Sequence, residues 1–365
     1  MRRLVFTSAN IDVVAVECPQ SNTVIVTFGS FSDGLEQEQK GFGEAFFEKN
    51  GITAYHFMHK HNLWYDFPEM TEALHLVKSE IAAGHSIITY GSSMGGYAAF
   101  RSSGLLQACK IIAFSPQYSV DSALVPWENR WSKATINCTH SMDRLPINHD
   151  AKIYLFYDPK TDDAKHAELI SQYGTCQRIP MPFSGHFCIS MLQQIDMLGK
   201  TLRHIIDGDF DATAVRNEID DKAEKSAHYL VNKANSLPYR AKKQRLALMY
   251  RAIDLGESGP EFELYLGKML VSYGLWSEAK AIYYRGWKKN PNSNLGLLSY
   301  LGFLNLCRRY AESLPVFERL AEQFPQFVNA VNLTREKFDC YPYGRSRWNR
   351  TLRSVRGFCS PISTR

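Results

Sequence analysis

Eight short apolar runs divide the first two hundred residues, and they constrain the fold more than any other feature of the sequence. The runs are rich in β-branched and aromatic residues, and from the third onward segments of helical period separate them. The predicted strands are 3–6, 12–17, 23–28, 53–58, 86–90, 110–114, 152–157 and 176–182. Since parallel strands need crossover connections, the alternation predicts an α/β fold with a mostly parallel sheet covered by helices on both faces.

Two connections depart from this alternation. The first two runs leave no room for a helix, so we expect an antiparallel hairpin at the sheet edge. Predicted helices fill other connections, at 41–49, 68–83, 95–106, 161–172 and 187–206. Residues 115–151 form a connection too long for an ordinary loop, and it contains Trp127 and Trp131. We predict a lid-like insertion that places these two residues over a substrate; a passively packed excursion is the alternative.

The composition is that of a globular chain. Hydrophobic residues make up 45% and charged residues 22%. No run approaches the length of a membrane span, and the first residues lack the pattern of a signal peptide, so neither is expected. The eight cysteines are scattered, with no CxxC pair and no zinc-site grouping with histidine. We therefore expect reduced thiols, a cytoplasmic location and no bound metal.

The net charge of +5 comes from the C-terminal tail. From Thr334 to Arg365 eight basic residues face two acidic ones, a balance of +6, so the rest of the chain sums to −1. Such a distribution does not predict a folded nucleic-acid-binding face. We interpret residues 331–365 as a basic tail, either a solvated end or a docking segment for an anionic partner.

The sequence changes character after residue 206. Residues 207–224 are acidic and are interpreted as a linker, and 225–330 have helical period without strand signals. An internal repeat spans 265–291 and 300–325. Landmarks recur at offsets of 34 or 35 residues, namely Trp276 and Tyr310, Glu278 and Glu312, Pro291 and Pro325, and Leu266-Gly267 and Leu301-Gly302.

This repeat resembles the tetratricopeptide family, although the copies are divergent. The resemblance implies an all-α repeat domain with a curved surface that binds a protein partner. The alternative is a helical appendage that dimerises or covers the sheet.

The fifth strand runs directly into a cluster of small residues, in the stretch ITYGSSMGGY at 88–97. Gly91-Ser92-Ser93-Met94-Gly95 fits the pattern G-x-S-x-G between a strand and a helix. A serine in this position occupies a tight, strained turn whose neighbours must be small. Ser93 is thereby expected at the carboxyl edge of the sheet, beside the positive end of the following helix.

An acid and a histidine follow later strands. Asp158 ends the seventh strand, and His186 follows the eighth. The order Ser, Asp, His with these strand placements resembles the α/β-hydrolase fold family over residues 1–206. The resemblance implies that Ser93 is the nucleophile, His186 the general base and Asp158 the carboxylate that orients it. Asp162 and Asp163 lie on the same loop and remain alternatives for the acid.

Two backbone N–H groups are expected to form an oxyanion hole. Met94 supplies one, and the loop after the third strand supplies the other, with Ser30 preferred and Phe31 second. Phe28 stands where members of the family often have the histidine of a His-Gly pair. Since only backbone donors are needed, this departure does not affect the predicted chemistry.

These residues predict a serine hydrolase that forms an acyl-Ser93 intermediate, with no metal or organic cofactor. The substrate is an oxygen ester or thioester, and the acyl acceptor is water or a hydroxyl group. The motif G-S-S-M-G-G-Y with a following D-P loop also resembles bacterial α/β-hydrolase proteins associated with surface polysaccharides, which favours carbohydrate acetyl esters. The alternative is a non-catalytic binding module that uses the helical repeats on a degenerate hydrolase scaffold.

Overall fold

The computed structural model describes residues 1–32, 40–255, 260–289, 294–307 and 310–323, together with 328, 332 and 335. Contacts divide the chain into two compact units, Met1–Tyr229 and Leu230–Arg365. No helix within these described residues is long and apolar enough to cross a bilayer.

The first unit is built on one eight-stranded sheet. Its strands are β1 Arg2–Thr7, β2 Ile11–Val16, β3 Thr23–Phe28, β4 Thr53–His59, β5 Ser86–Ser92, β6 Lys110–Phe114, β7 Lys152–Tyr157 and β8 Thr175–Pro180. The strand order is β1-β2-β4-β3-β5-β6-β7-β8. The predicted hairpin of β1 and β2 is antiparallel, β2 is antiparallel to β4, and β3 to β8 pair in parallel. The predicted eight-stranded, mostly parallel α/β fold is confirmed.

Helices cover both faces of the sheet. They are α1 Glu44–Lys49, α2 Met70–Glu80, α3 Met94–Arg101, α4 Ser103–Leu106, α5 Asp163–Ile170, α6 Cys188–Gln194, α7 Leu198–Asp207 and α8 Ala212–Lys222. Alternate residues of β3 enter opposite cores, with Val24 and Val26 on the side of α2 and Ile25 on the side of α7. The single helix predicted over 187–206 is two helices, because Asp196 takes a left-handed backbone (φ 54°) between α6 and α7.

The predicted linker at 207–224 differs from the structure. Most of it forms α8, and Asp211 caps this helix by accepting hydrogen bonds from the N–H groups of Thr213 and Ala214. Val215 and Ile219 of α8 belong to the buried core on the side of α7. The acidic residues occupy the outer positions of an amphipathic helix, so an acidic composition does not mark a linker here.

The second unit is helical, as predicted. The boundary between the units falls inside α9 Ala227–Ser236, which α10 Lys242–Asp254, α11 Pro260–Ser272, α12 Trp276–Lys289, α13 Asn294–Leu306 and α14 Tyr310–Gln323 follow. The starts of α11 and α13, and likewise of α12 and α14, are 34 residues apart. This spacing agrees with the internal repeat, while the tetratricopeptide resemblance stays a prediction. The predicted basic tail lies outside the described residues except for positions 332 and 335.

Two buried histidines on β4 make the stability of the first unit depend on pH. His56 is fully buried and its Nδ1 lies 2.6 Å from the Thr27 hydroxyl oxygen. His59 is 4% exposed and contacts Tyr65 and Asn62. Burial lowers the pKa of each histidine to about 4. In the unfolded chain the two histidines have their ordinary pKa of about 6.5. The free energy of unfolding therefore has its full value above that pH and falls as the pH drops toward 4.

We expect each histidine to cost about 3 kcal/mol of stability by pH 4. Thermal unfolding measured between pH 7 and pH 5 should show a falling midpoint, and His56→Gln should flatten this dependence. His75→Gln, at an exposed position of α2, is the matched control. A His56→Gln variant with the full pH dependence of the wild type would contradict the assignment.

Candidate active site

Ser93 occupies the turn between β5 and α3 with φ 52° and ψ −120°, a conformation that L residues rarely adopt. Its N–H donates to the Phe114 carbonyl oxygen at 2.8 Å, which fixes the turn to the neighbouring strand. The residue is 7% exposed. The predicted strand, tight turn and helix around the G-x-S-x-G pattern are therefore present, and the backbone is strained at the serine.

The glycines of the turn are required by close backbone packing. A Cβ on Gly95 would lie 2.1 Å from the Phe28 carbonyl oxygen, and one on Gly91 would lie 2.2 Å from the Gly95 carbonyl oxygen. Phe28 ends β3 and Gly95 lies in α3, so neither backbone oxygen can move without displacing a strand or a helix. The turn thus fits its place only because these positions lack side chains.

Gly95→Ala is expected to destabilise the chain by about 3 kcal/mol or more, because the added methyl group overlaps backbone atoms. The measurement is denaturant unfolding followed by circular dichroism. Gly302→Ala in α13 is the control, since a Cβ there meets nothing within 4 Å and alanine favours a helix. Equal stability of Gly95→Ala and the wild type would show that the turn has room for a side chain.

Ser93, His186 and Asp163 form one hydrogen-bonded row. The Ser93 Oγ lies 2.7 Å from His186 Nε2, and His186 Nδ1 lies 2.8 Å from Asp163 Oδ2. Because a carboxylate only accepts, Nδ1 carries the proton and Nε2 accepts from the serine hydroxyl. Ser93 comes from the turn after β5, His186 from the loop after β8 and Asp163 from the first residue of α5.

Asp158, the preferred acid in the sequence, does not contact His186. Its Oδ1 accepts from the Lys160 N–H at 2.9 Å, and its Oδ2 accepts from the Gly185 N–H at 2.8 Å. The carboxylate therefore clamps the turn after β7 to the loop that carries His186. The prediction of Asp158 as the partner of His186 is wrong, and the alternative Asp163 takes that position. Asp162 lies outside the row and pairs with Lys165.

Asp163 has a second partner that the sequence did not indicate. Arg130, in the insertion 115–151, donates from Nη1 to Asp163 Oδ1 at 2.7 Å. Burial raises the pKa of Asp163, but the charges and hydrogen bonds of His186 and Arg130 outweigh it and hold that pKa well below its usual range. The buried carboxylate is therefore ionised. One of its oxygens accepts from Arg130 and the other from His186.

Arg130 is itself held by a buried acid. Its Nε and Nη2 donate to Glu128, which is 6% exposed, and Glu128 Oε2 lies 2.9 Å from His166 Nε2. His166 Nδ1 accepts from the Tyr118 N–H at 3.0 Å, so His166 is neutral with its proton on Nε2. Since 33 residues separate Arg130 from Asp163, no local sequence pattern could have identified this pair.

The predicted oxyanion donors lie beside the nucleophile. Met94 begins α3 directly after Ser93, and the Ser30 hydroxyl donates to the Ser92 carbonyl oxygen at 3.0 Å. Within the described residues, the backbone N–H groups of Met94, Ser30 and Phe31 have no acceptor. Two unpaired donors from two segments next to Ser93 are what an oxyanion hole needs, and Ser30 and Phe31 both remain candidates for the second.

The two tryptophans of the insertion lie in different places. The Trp131 ring centroid is 5.6 Å from that of His186, and it contacts Phe31 and Trp64 at 5.9 and 5.3 Å. These three rings, Phe31, Trp64 and Trp131, form an aromatic wall beside the histidine. Trp127 instead packs on α5, with its ring 4.5 Å from that of His166. A covering role for the two tryptophans stays a prediction.

The insertion is tied to the rest of the unit at several points. Asp66 accepts from the N–H groups of His140 and Ser141, at 3.0 and 2.8 Å. Asp143 pairs with Arg101 at 3.1 Å. The insertion is therefore anchored by polar contacts at its far end as well as by Arg130.

Among the described residues no group of three or more His, Cys, Asp or Glu side chains is arranged to hold a metal ion.

No protein-family model and no curated protein matches the chain. Among solved structures, the capsule O-acetyltransferase of Neisseria meningitidis serogroup A is similar at 14% identity and TM-score 0.42, covering 55% of this chain and 93% of that one. Est1E from Butyrivibrio proteoclasticus is similar at 10% identity and TM-score 0.38, covering 60% and 98%.

The alpha/beta hydrolase domain-containing protein 10 from mouse is similar at 13% identity and TM-score 0.42, covering 57% of this chain and 99% of that one. All three TM-scores are below 0.5, so the activities of these proteins are not transferred to this chain. The α/β fold follows from the strand order and from the parallel pairing of β3 to β8.

Proposed function

We propose that the chain is a serine hydrolase or acyltransferase that acts through an acyl-Ser93 intermediate. The observation that carries the proposal is the hydrogen-bonded row from Ser93 through His186 to Asp163, with contacts of 2.7 and 2.8 Å. A serine hydroxyl is a poor nucleophile unless a base within hydrogen-bond reach takes its proton, and His186 is placed to do so.

In the proposed reaction the Ser93 oxygen attacks the ester carbonyl carbon while its proton passes to His186 Nε2. Asp163 stabilises the resulting imidazolium through Nδ1, and the Met94 N–H with that of Ser30 or Phe31 binds the oxyanion. The carbon–oxygen bond to the leaving group then breaks, and His186 protonates that oxygen. Water or an acceptor hydroxyl next attacks the acyl-serine by the same steps, which regenerates Ser93.

The aromatic wall supports a small acyl group. Phe31 adjoins a proposed oxyanion donor and Trp131 contacts His186, so both border the space where the acyl carbon must sit. A carbohydrate acetyl ester fits this chemistry, because an acetyl group needs little room. The finer assignment to a polysaccharide substrate rests on the sequence resemblance.

The alternative, a binding module on a degenerate scaffold, is less well supported. A scaffold gains nothing from a strained serine or from unpaired donors beside it, whereas an acyl-transfer site needs both. The repeat of helices at 34 residues suits a protein partner that presents or prepares the substrate.

The test is covalent labelling with a fluorophosphonate probe, followed by peptide mass spectrometry. We expect one adduct, on Ser93, and hydrolysis of nitrophenyl esters that declines as the acyl chain lengthens. Labelling of another serine, or no labelling of freshly folded protein, would overturn the proposal. A pull-down with the full-length Ser93→Ala protein that still captures a stable partner would then favour the binding module.

A further inference from the structure

Arg130 and Trp131 are consecutive in the insertion, and each contacts one member of the pair His186 and Asp163. Arg130 Nη1 lies 2.7 Å from Asp163 Oδ1, and the Trp131 ring centroid lies 5.6 Å from that of His186, with the two ring planes tilted by 50°. The insertion therefore builds part of the machinery that the proposed function uses. The inference below rests on that proposed function.

We propose that Arg130 is a positioning residue that fixes the Asp163 carboxylate and offsets the negative charge beside His186. Two features of the geometry support this role. Asp163 is fully buried with each oxygen committed to a different partner, so its plane cannot rotate. Arg130 is in turn held by Glu128 through two nitrogens, so its planar guanidinium has one orientation.

The charges of four residues next to His186, here called the cluster, explain the role of Arg130. The cluster consists of Asp163, Glu128, Arg130 and His166. Asp163 and Glu128 carry one negative charge each, Arg130 carries a positive charge, and His166 is neutral because its Nδ1 accepts from Tyr118. The cluster therefore sums to −1 while His186 is uncharged, and to zero once His186 takes the serine proton. Without Arg130 the sum would be −2, and two buried carboxylates would favour a protonated His186 before any substrate arrives.

Other titratable groups surround His186 on the elements packed against it. They are Asp158 of the turn after β7, Cys188 of α6, His228 of α9, and Glu128 and His166 already described. Burial raises the pKa of Cys188 to about 12 and lowers that of His228 to about 4, so both are neutral at pH 7. None of these groups is a cation that pairs with Asp163 or Glu128. Among the described residues Arg130 is the Lys or Arg side chain that pairs with both.

The test uses three variants of the full chain. Arg130→Met removes the charge, Arg130→Lys keeps it with poorer geometry, and the double variant Glu128→Gln with Arg130→Met removes the ion pair together. The titration midpoint of the His186 imidazole is measured by nitrogen-15 NMR, with His186→Gln for assignment. The pH profile of kcat/KM is measured with nitrophenyl acetate.

We expect the His186 midpoint and the acidic limb of kcat/KM to rise by about one to two pH units in Arg130→Met. In the double variant the charges again sum to −1, so its midpoint should stay within about half a pH unit of the wild type. Arg130→Lys should also stay within about half a pH unit while kcat falls several-fold. If Arg130→Met does not fold, Arg130→Gln replaces it with the same expected rise, because glutamine is also uncharged but keeps an N–H donor for Asp163.

An unchanged midpoint in the folded variant that lacks only the Arg130 charge would overturn the inference, as would an equal rise in Arg130→Lys or in the double variant. The two readouts separate this inference from the proposed function. A wild type that turns over no ester, with His186 midpoints that still rise without Arg130, would refute the proposed function and leave the charge assignment standing. Normal turnover with unmoved midpoints would refute only the role of Arg130.

Discussion

Ser93→Ala is expected to lower kcat for a short nitrophenyl ester by about 10⁶-fold, because the proposed mechanism forms its covalent intermediate on the Ser93 oxygen. The residual rate over water comes from the oxyanion donors and substrate binding, which the substitution leaves in place. The measurement is steady-state hydrolysis at saturating ester, with the fluorophosphonate label as a second readout.

The matched control is Ser92→Ala. Ser92 precedes the nucleophile and is 5% exposed, and its carbonyl oxygen accepts the Ser30 hydroxyl whichever side chain it carries. We expect this variant to keep its label and to stay within about tenfold of the wild-type kcat. A Ser93→Ala protein whose kcat falls by less than tenfold would remove the acyl-serine mechanism.

The second large effect separates the two candidate acids. Asp163→Asn is expected to lower kcat by about 10⁴-fold, because an amide in place of the carboxylate no longer holds His186 in the tautomer that accepts the serine proton. Asp158→Asn should cost less than about 100-fold, since it disturbs only the clamp on the Gly185 N–H at 2.8 Å.

Both variants are measured for kcat and for thermal stability, so that a structural loss is told apart from a chemical one. Asp158→Asn should lower the thermal stability as well as kcat, because an amide has one acceptor oxygen instead of two and leaves the Gly185 N–H without its acceptor. A greater loss of kcat in Asp158→Asn than in a folded Asp163→Asn would return the triad role to Asp158.

The strand pattern could be predicted because it depends on local physics. Alternating and continuous apolar runs report which residues a sheet buries, and each predicted strand lies within two residues of the observed one. The tight turn was also predictable from local sequence, in the motif Gly91-Ser92-Ser93-Met94-Gly95. A serine at φ 52° needs small neighbours wherever such a turn occurs. His186 followed from its position after the last strand.

The choice of acid could not be made from the sequence. Asp158, Asp162 and Asp163 lie within six positions on one loop, and the direction of each carboxylate depends on how that loop closes over the sheet. Asp158 is turned toward backbone N–H groups, while the first turn of α5 points Asp163 at His186. The helix at 212–222 was not predicted for a different reason. It buries only Val215 and Ile219, so its sequence has the polar composition of a linker.

The sequence by itself determined the strands and the tight turn at Ser93, because each depends on residues close together in the chain. The predicted pairing of Ser93 with His186 rested instead on the order of residues after successive strands, which resembles the α/β-hydrolase fold. Only the tertiary structure decided which carboxylate meets His186 and that Arg130 meets that carboxylate. Those contacts join segments 23 and 33 residues apart, and the insertion that carries Arg130 has no regular period from which its path could be predicted. Long-range polar pairing is fixed by burial, which forces each charge to find a partner after the chain has folded.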